Sequence, residues 1–226
     1  MSSIKLKHSG GNSVSLNPPT SAPTSTEVAF KLPNADGSNG QVIQTNGSGQ
    51  LAFATTQGGV VKVAVRRYYG FLAVSSLSNS GFTQIDQAYV DIAPTSASQY
   101  IKLGGLLTWD GSDTESQYSF RWKKVVTGGS TTSLDATQGA GNRVGITYKV
   151  QHSGGLACMQ LSNIYDLSGT TSNIRYYLEV FVDGSGQSIY VNRTIADLND
   201  PRDERGASYF SAEEMDSSIF TFTNDS

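Results

Sequence analysis

The sequence has little of several things, and each shortage excludes a class of protein. Only one of its 226 residues is a cysteine, Cys158, which excludes a disulfide framework and any multi-cysteine metal site. Charged residues make up 15% of the chain, with a net charge of −3 and no basic cluster, so nucleic-acid binding is disfavoured. No apolar run approaches a membrane span of roughly 18 residues, and the N-terminus lacks the apolar core of a signal peptide. We therefore expect a soluble protein made in a cytoplasm, with Cys158 as a buried apolar residue.

Proline is also scarce, but three of the six prolines lie together in LNPPTSAPTSTEVAF. They exclude a helix and favour an extended backbone. Short segments with alternating apolar residues flank this stretch, and each is too short to be stable alone. Their apolar positions are the expected attachment surface of an extended arm: Ile4, Leu6, Val14, Leu16, Val28 and Phe30.

Turn residues are abundant in LPNADGSNGQVIQTNGSGQLAFA, which begins at Leu32. The DGSNG and NGSG stretches supply the Gly and Asn residues that tight turns require. The segments QVIQT and QLAFA alternate apolar and polar residues. This arrangement predicts a β-hairpin over residues 42–53.

Apolar content rises from about Val60, where strand-like segments rich in Val, Ile, Tyr, Phe and Thr follow one another between turn residues. Only ASYFSAEEMD has any helical character. The patterns predict an all-β protein with two regions: an extended N-terminal attachment arm with strands and a hairpin over residues 1–59, and a compact β-sandwich or jelly-roll-like head over 60–226. Because isolated strand pairs are marginal in water, we expect other copies of the chain to cover the arm, in a homotrimer or comparable oligomer.

The sequence offers few groups for catalysis. It has no nucleophile elbow and no phosphate-binding loop, and its two histidines, His8 and His152, do not predict a shared metal site, so we expect no cofactor. Paired carboxylates could cleave a glycan, and the candidate pairs are Asp113 with Glu115 and Glu213 with Glu214. Trp109 and Asp110 are candidate glycan contacts, because an aromatic ring beside an acid can stack on and bind a sugar. The alternative for WDGSDTES is a hairpin turn capped by its aspartates.

A mixed-charge cluster lies near the C-terminus, in NRTIADLNDPRDERGAS. Exposed clusters of this kind are usually solvated ion pairs of little energetic value. Alternatively, the cluster lies across a subunit boundary, where arginine forks pair with carboxylates. The residues of this candidate subunit interface are Arg193, Asp197, Asp200, Arg202, Asp203 and Arg205.

The two ends of the chain also carry a family resemblance. The pattern LP…DG…GQVIQTNGSGQL resembles an N-terminal module found in many virion proteins of phages that infect marine bacteria, especially cyanobacteria. The ending VNRTIADLNDPRDERGAS is similar to that of tail-fibre-like proteins of the same phages, although AEEMD and a further SSIFTFTNDS replace their more apolar ending. No such pattern covers residues 60–187.

The resemblance implies a phage virion structural protein of the tail-fibre or spike type that is trimeric, and we expect no enzymatic activity. It would mount on other virion proteins through its arm and present the head for contact with host-surface glycan or protein. A capsid-attached fibre or decoration protein is one alternative, and a glycan-degrading tailspike is an alternative of another class. We expect no contact with nucleic acid and no membrane insertion.

Overall fold

The computed structural model describes residues 4–17, 19–23, 27–55, 59–134, 146–198 and 204–218, and their regular structure is all strand. The strands are β1 Ile4–Lys7, β2 Ser13–Leu16, β3 Gln41–Thr45, β4 Leu51–Thr55, β5 Val60–Tyr68, β6 Leu72–Leu77, β7 Thr83–Ile92, β8 Tyr100–Gly111, β9 Gln117–Val126, β10 Thr131–Leu134, β11 Tyr148–Gln151, β12 Ala157–Leu167, β13 Ile174–Val182, β14 Gln187–Val191 and β15 Ser208–Met215. The chain divides into two compact units, Met1–Thr56 and Gln57–Ser226, called the arm and the head below.

The arm contains two separate antiparallel strand pairs. β1 pairs with β2, and β3 pairs with β4 in the register Ile43 to Phe53, which confirms the hairpin predicted over residues 42–53. At its turn, the Asn46 Oδ1 atom accepts hydrogen bonds from the Ser48 and Gln50 amides, and Gly47 has a φ of 80° that favours glycine.

The segment EVAFKL, residues 27–32, is one of the alternating segments beside the prolines, but it does not form a strand. Only Lys31 makes a β-bridge, with Gln50, while residues 27–30 run without regular structure. The Gln50 side-chain amide donates to the carbonyls of Lys31, Leu32 and Leu51, so it ties this segment to the start of β4. A side-chain clamp therefore supplements a single backbone bridge here.

The head is a sandwich of two antiparallel sheets. One sheet has the order β10-β9-β13-β7, with β11 also paired to β9, and the other has the order β5-β15-β8-β14-β6, with β12 also paired to β8. Aromatic rings join the sheets: Trp122 on β9 meets Phe210 on β15 at 6.3 Å between centroids, and Trp109 on β8 meets Tyr118 on β9 at 4.9 Å. One shared hydrophobic core thus lies between the sheets, and the prediction of an all-β protein with a sandwich head is confirmed.

The segment ASYFSAEEMD is a strand, so its expected helical character is wrong. It forms β15, which pairs with β5 on one side and β8 on the other. Phe210, Ala212 and Glu214 are buried on one face, while Tyr209, Ser211 and Glu213 lie on the opposite face. Pairing on both sides and burial of Phe210 outweigh the helix propensity of the AEEM residues. The strand-like pattern also predicts a strand at SIFTFT, which lies outside the described residues apart from Ser218.

Candidate functional site: a groove on the outer face of the head

An open groove of about 580 Å³ lies on the side of the six-stranded sheet that faces away from the core. Strands β5, β15, β8 and β12 pass side by side beneath it. Alternate residues of a strand point to opposite faces of a sheet. Residues that alternate with the core residues along these strands are therefore brought together at the groove. The groove is lined by Val65, Arg67, Tyr69, Gly104, Gly105, Gln160, Leu161, Asn163, Ala207, Ser208, Tyr209, Ser211 and Glu213.

Two adjacent glycines on β8 form the floor of the groove. Gly105 has a φ of 149°, and an added Cβ there would collide with the backbone of Tyr209 and Phe210. Gly104 differs, because an added Cβ would lie 3.5 Å from Ser211 Oγ and 3.6 Å from Asn163 Oδ1, at ordinary contact distance. Gly105 is therefore required by the close approach of β15, whereas the missing side chain of Gly104 leaves the groove open.

Two tyrosines stand at the groove with accessible rings. Tyr69 is 65% exposed and Tyr209 is 38% exposed, in contrast to the buried aromatic rings of the core. An exposed ring offers an apolar face and a hydroxyl to a ligand. Val65 adds an apolar contact surface beside them.

Six side chains at the groove have unused hydrogen-bonding groups. Within the described part of the chain, no hydrogen bond, ion pair or ring contact engages the side chains of Arg67, Tyr69, Gln160, Asn163, Tyr209 and Ser211. Glu213, in contrast, pairs with Lys102 at 2.9 Å between Oε2 and Nζ. The groove thus gathers donors and acceptors that the fold does not use.

Arg67 is unlike the other arginines that the structure describes, since each of those has an acceptor within the head. The contacts are Arg66 Nη2 to Gln87 Oε1 at 2.7 Å, Arg121 Nε to Glu179 Oε2 at 2.9 Å, Arg175 Nε to Asp91 Oδ1 at 2.7 Å, Arg193 Nη1 to Asp197 Oδ2 at 3.6 Å and Arg205 Nη2 to Asp197 Oδ1 at 2.9 Å. A lone exposed arginine is available to an external anion.

The predicted glycan contact at Trp109 and Asp110 is wrong. Trp109 is completely buried, and its ring packs against Tyr118, Phe120 and His152 in the core. The Asp110 carboxylate is also buried, where it pairs with His152 at 2.6 Å and accepts the Ile195 amide at 2.9 Å. A ring without exposed surface cannot stack on a sugar, so these residues are structural.

Asp113 and Glu115 belong to a connection between the two sheets, from β8 to β9. The alternative is therefore wrong in predicting a hairpin, but the predicted capping of the loop by an aspartate is confirmed. Asp113 caps this connection: its carboxylate accepts from the Glu115 amide, the Ser116 hydroxyl and the Gln187 amide. The hydrogen bonds from Glu115 and then Ser116 hold the pKa of Asp113 below its ordinary value. A carboxylate that is held ionised in this way is poorly suited to act as the general acid of glycan cleavage.

Glu213 and Glu214 point to opposite faces of β15 and cannot flank one substrate. Glu213 lines the groove beside Lys102. Glu214 is buried, and its Oε1 atom accepts hydrogen bonds from the Thr95 amide and hydroxyl, both at 2.6 Å. The Glu213 and Glu214 pair is therefore not arranged for glycan cleavage.

The mixed-charge cluster is described only in part, because Asp200, Arg202 and Asp203 lie outside the described residues. In the remainder, Asp197 pairs with both Arg193 and Arg205 of the same chain. Each of these three side chains has a partner within one head, so none of them needs a second subunit for its ion pair. An interface role for the cluster stays a prediction.

The predicted attachment residues lie in the arm, and none of the described side chains of the arm belongs to a hydrophobic core. Ile4, Leu6, Val28 and Phe30 are each more than half exposed. Val14 and Leu16 lie on β2, which pairs with β1, but their side chains are not described. Leu32, Ile43 and Phe53 extend this set of uncovered apolar residues.

Two further expectations concern single residues. Cys158 is exposed on β12, beside Thr108, so its expected burial is wrong. His152 is a buried partner of Asp110 in the head, whereas His8 lies exposed in the arm.

Within the described residues there is no cluster of three or more His, Cys, Asp or Glu side chains that could hold a metal ion. The described residues also contain no helix long and apolar enough to cross a membrane.

Comparison with known proteins adds similarity to solved structures only, since no family model and no curated protein matches the chain. The structure of infectious bursal disease virus Gx strain matches 73% of this chain with a TM-score of 0.35 and 16% identity. The structure of the Gt strain matches 87% with a TM-score of 0.33 and 14% identity, and the VP2 subviral particle of the same virus matches 74% with a TM-score of 0.33 and 14% identity.

The chain spans less than half of each of those matched chains, namely 40%, 47% and 40%. Similarity at this level defines neither a family nor a function. The sandwich architecture rests on the strand pairing and the shared core of the head itself.

Proposed function

We propose that the chain is a non-enzymatic structural protein of a phage virion, of the tail-fibre or spike type. Its arm joins other chains of the particle, and its head is presented outward for contact with the host surface. The uncovered arm carries this proposal. Eight of its large apolar side chains are exposed by 37% to 76%, yet its strands are only paired two by two.

An arm of this kind requires partners. Two-stranded sheets are marginal in water unless something covers their apolar face. Ile43 and Phe53 lie opposite each other on the second strand pair and form such a face, and Ile4 and Leu6 form another on the first. Copies of the same arm are the proposed cover, because identical alternating segments can bury their apolar sides against one another in a homotrimer.

The resemblance of both chain ends to marine phage virion proteins supports the same proposal. The resembling pattern LP…DG…GQVIQTNGSGQL coincides with the part of the arm that folds as the β3–β4 hairpin and its Gln50 clamp. The proposed role of this module is therefore attachment, and the head supplies the exposed surface.

Deletion of residues 1–53 tests the proposal in the phage that encodes the chain. The truncated head is expected to fold, because its core lies wholly within the head, but it should be absent from purified particles. A matched full-length chain carrying Phe71→Ala, which alters an exposed head residue, should be incorporated normally. Incorporation of the truncated head at the full-length level would contradict the proposal.

The location of the chain on the virion distinguishes the tail-fibre role from the capsid-attached alternative. Antibody directed against the head should label the tail region alone if the chain is a tail fibre or spike. Label spread over the capsid surface would instead support a capsid-attached fibre or decoration protein.

A further inference from the structure

We propose that the groove binds an oligosaccharide that contains a carboxylated sugar, such as a uronic acid, without cleaving it. This inference deepens the proposed function, since it rests on the head being presented to the host surface. It concerns a site distinct from Trp109 and Asp110, and the choice of ligand is based on the composition of the groove.

The first step concerns charge. Arg67 lies at the groove without a hydrogen bond, ion pair or ring contact in the described part of the chain, and Glu213 is already neutralised by Lys102. One uncompensated guanidinium therefore remains. A planar carboxylate accepts two parallel hydrogen bonds from a guanidinium group. The groove therefore favours an acidic ligand that places one carboxylate beside Arg67.

The second step concerns the apolar part of the ligand. Tyr69 and Tyr209 present accessible rings at the groove, and Val65 lies in the same lining. Sugar rings have apolar C–H faces between their hydroxyl groups, and an aromatic face can cover them. An amino-acid side chain or a simple inorganic anion would bind the Arg67 guanidinium but would leave one of the two tyrosine rings uncovered.

The third step concerns the hydroxyl groups. Gln160, Asn163 and Ser211 each contribute both donors and acceptors, and none of these side chains is engaged elsewhere among the described residues. A sugar hydroxyl also donates and accepts, so it can pair with an amide in either direction. The mixture of one charge, accessible rings and free amides thus fits a polyhydroxylated ligand better than an apolar one.

The size of the groove sets the length of the ligand. Its volume of about 580 Å³ lies within the range of roughly 300–1,000 Å³ that is typical of small-molecule sites. A segment of two to four sugar units is therefore the expected occupant. Cleavage is not expected, because the one carboxylate in the lining, Glu213, has no second carboxylate on this face of β15.

Isothermal titration calorimetry with the full-length chain tests the inference. The probes are tetragalacturonate, tetramannuronate and a hyaluronan tetrasaccharide, with cellotetraose as the neutral comparison. At least one carboxylated probe is expected to bind at least tenfold more tightly than cellotetraose. Failure of all three to bind at millimolar concentration, or equal binding of the neutral probe, would overturn the inference.

Three variants locate the site. Arg67→Gln should weaken the bound acidic probe by about tenfold or more, because a charge-assisted pair is lost. Lys149→Gln removes the same charge from exposed β11 of the other sheet and should change affinity by less than twofold. Gly104→Val should abolish binding by filling the floor while the circular dichroism spectrum stays unchanged. Equal effects of Arg67→Gln and Lys149→Gln would overturn the assignment to the groove, as would undiminished binding by folded Gly104→Val.

Sedimentation of the same samples separates the two proposals. An oligomer that binds none of the acidic probes would overturn only the glycan inference. A monomer that binds them through Arg67 would contradict only the proposed oligomeric fibre.

Discussion

The arm and the head contain similar alternating strands but place their apolar side chains differently. In the head, Trp109, Trp122 and Phe210 meet between two sheets and are completely buried. In the arm, Phe30 and Leu32 remain 64% and 76% exposed, and its strands form two-stranded pairs only. The difference shows that the head buries its own apolar side chains, whereas the arm does not. Under the proposed function, other chains supply that burial for the arm.

The largest expected effect comes from matched deletions of an aromatic ring. Phe210→Ala should lower the free energy of unfolding of the head by about 3–5 kcal/mol, because it leaves a cavity between the sheets. Phe30→Ala should change it by less than about 0.5 kcal/mol, since that side chain contributes nothing to a core. Urea unfolding followed by near-ultraviolet circular dichroism measures both. Equal losses would remove the distinction between the two units.

A second comparison uses glycines of positive φ in the two units. Gly105→Ala in the head should cost more than about 2 kcal/mol, because the new Cβ meets the Tyr209 backbone at a strained φ. In the arm, Gly47 has a φ of 80°, but the Cβ that Gly47→Ala adds would have no atom within 4 Å. This substitution should leave unfolding of the head unchanged and affect only the β3–β4 hairpin. The same urea titrations check this, and an intact stability of Gly105→Ala would show that the sheet is loosely packed.

Alkaline pH should destabilise the head and not the arm, which contains no tyrosine. Burial, reinforced by Asp166, raises the pKa of Tyr176 far above its ordinary value, and its hydroxyl donates to Asp166 Oδ2 at 2.7 Å. The unfolded chain ionises this phenol near pH 10 while the folded chain does not. The stability contributed is therefore complete below pH 10 and decreases as the pH rises above it, by up to about 1.4 kcal/mol per pH unit.

The Tyr176→Phe variant isolates this contribution. It should lose about 1 kcal/mol at pH 7 with its hydrogen bond, but its stability should decline less steeply above pH 10. The measurement is the free energy of unfolding from pH 8 to 11. Parallel declines in the two proteins would contradict the assignment to Tyr176.

The smallest effect is expected in the arm itself. Gln50→Ala removes the three hydrogen bonds that tie residues 31–32 to β4. It should reduce hydrogen-exchange protection of the Lys31 and Leu51 amides, which bond to the Gly49 and Lys31 carbonyls. Amides of the head serve as the internal control and should not change. Unaltered protection at Lys31 would show that the backbone bridge is sufficient without the clamp.

Local signals in the sequence predict the hairpin of the arm well. Asn46 and Gly47 impose a tight turn whatever surrounds them, and QVIQT and QLAFA then have only one register that pairs both. Nonlocal contacts explain the errors. The AEEM residues of β15 favour a helix locally but become a strand between β5 and β8, and Trp109 is buried by strands distant in sequence.

The groove could not be predicted from any motif, because its lining comes from four strands between Val65 and Glu213. The one local signal was the Gly104-Gly105 pair inside a strand that is otherwise mostly apolar. Glycines at such positions mark a close approach of backbone or ligand. The sequence does not show which arginines have partners. Arg67 stands out only in the structure, where every other described arginine has an acceptor.

Sedimentation velocity of the full-length chain and of residues 57–226, both at micromolar concentration, tests the central claim most directly. The full-length chain should sediment as an oligomer, with a trimer expected, and the head alone should sediment as a folded monomer. A monomeric full-length chain, or a head that keeps the same oligomer without the arm, would contradict the account.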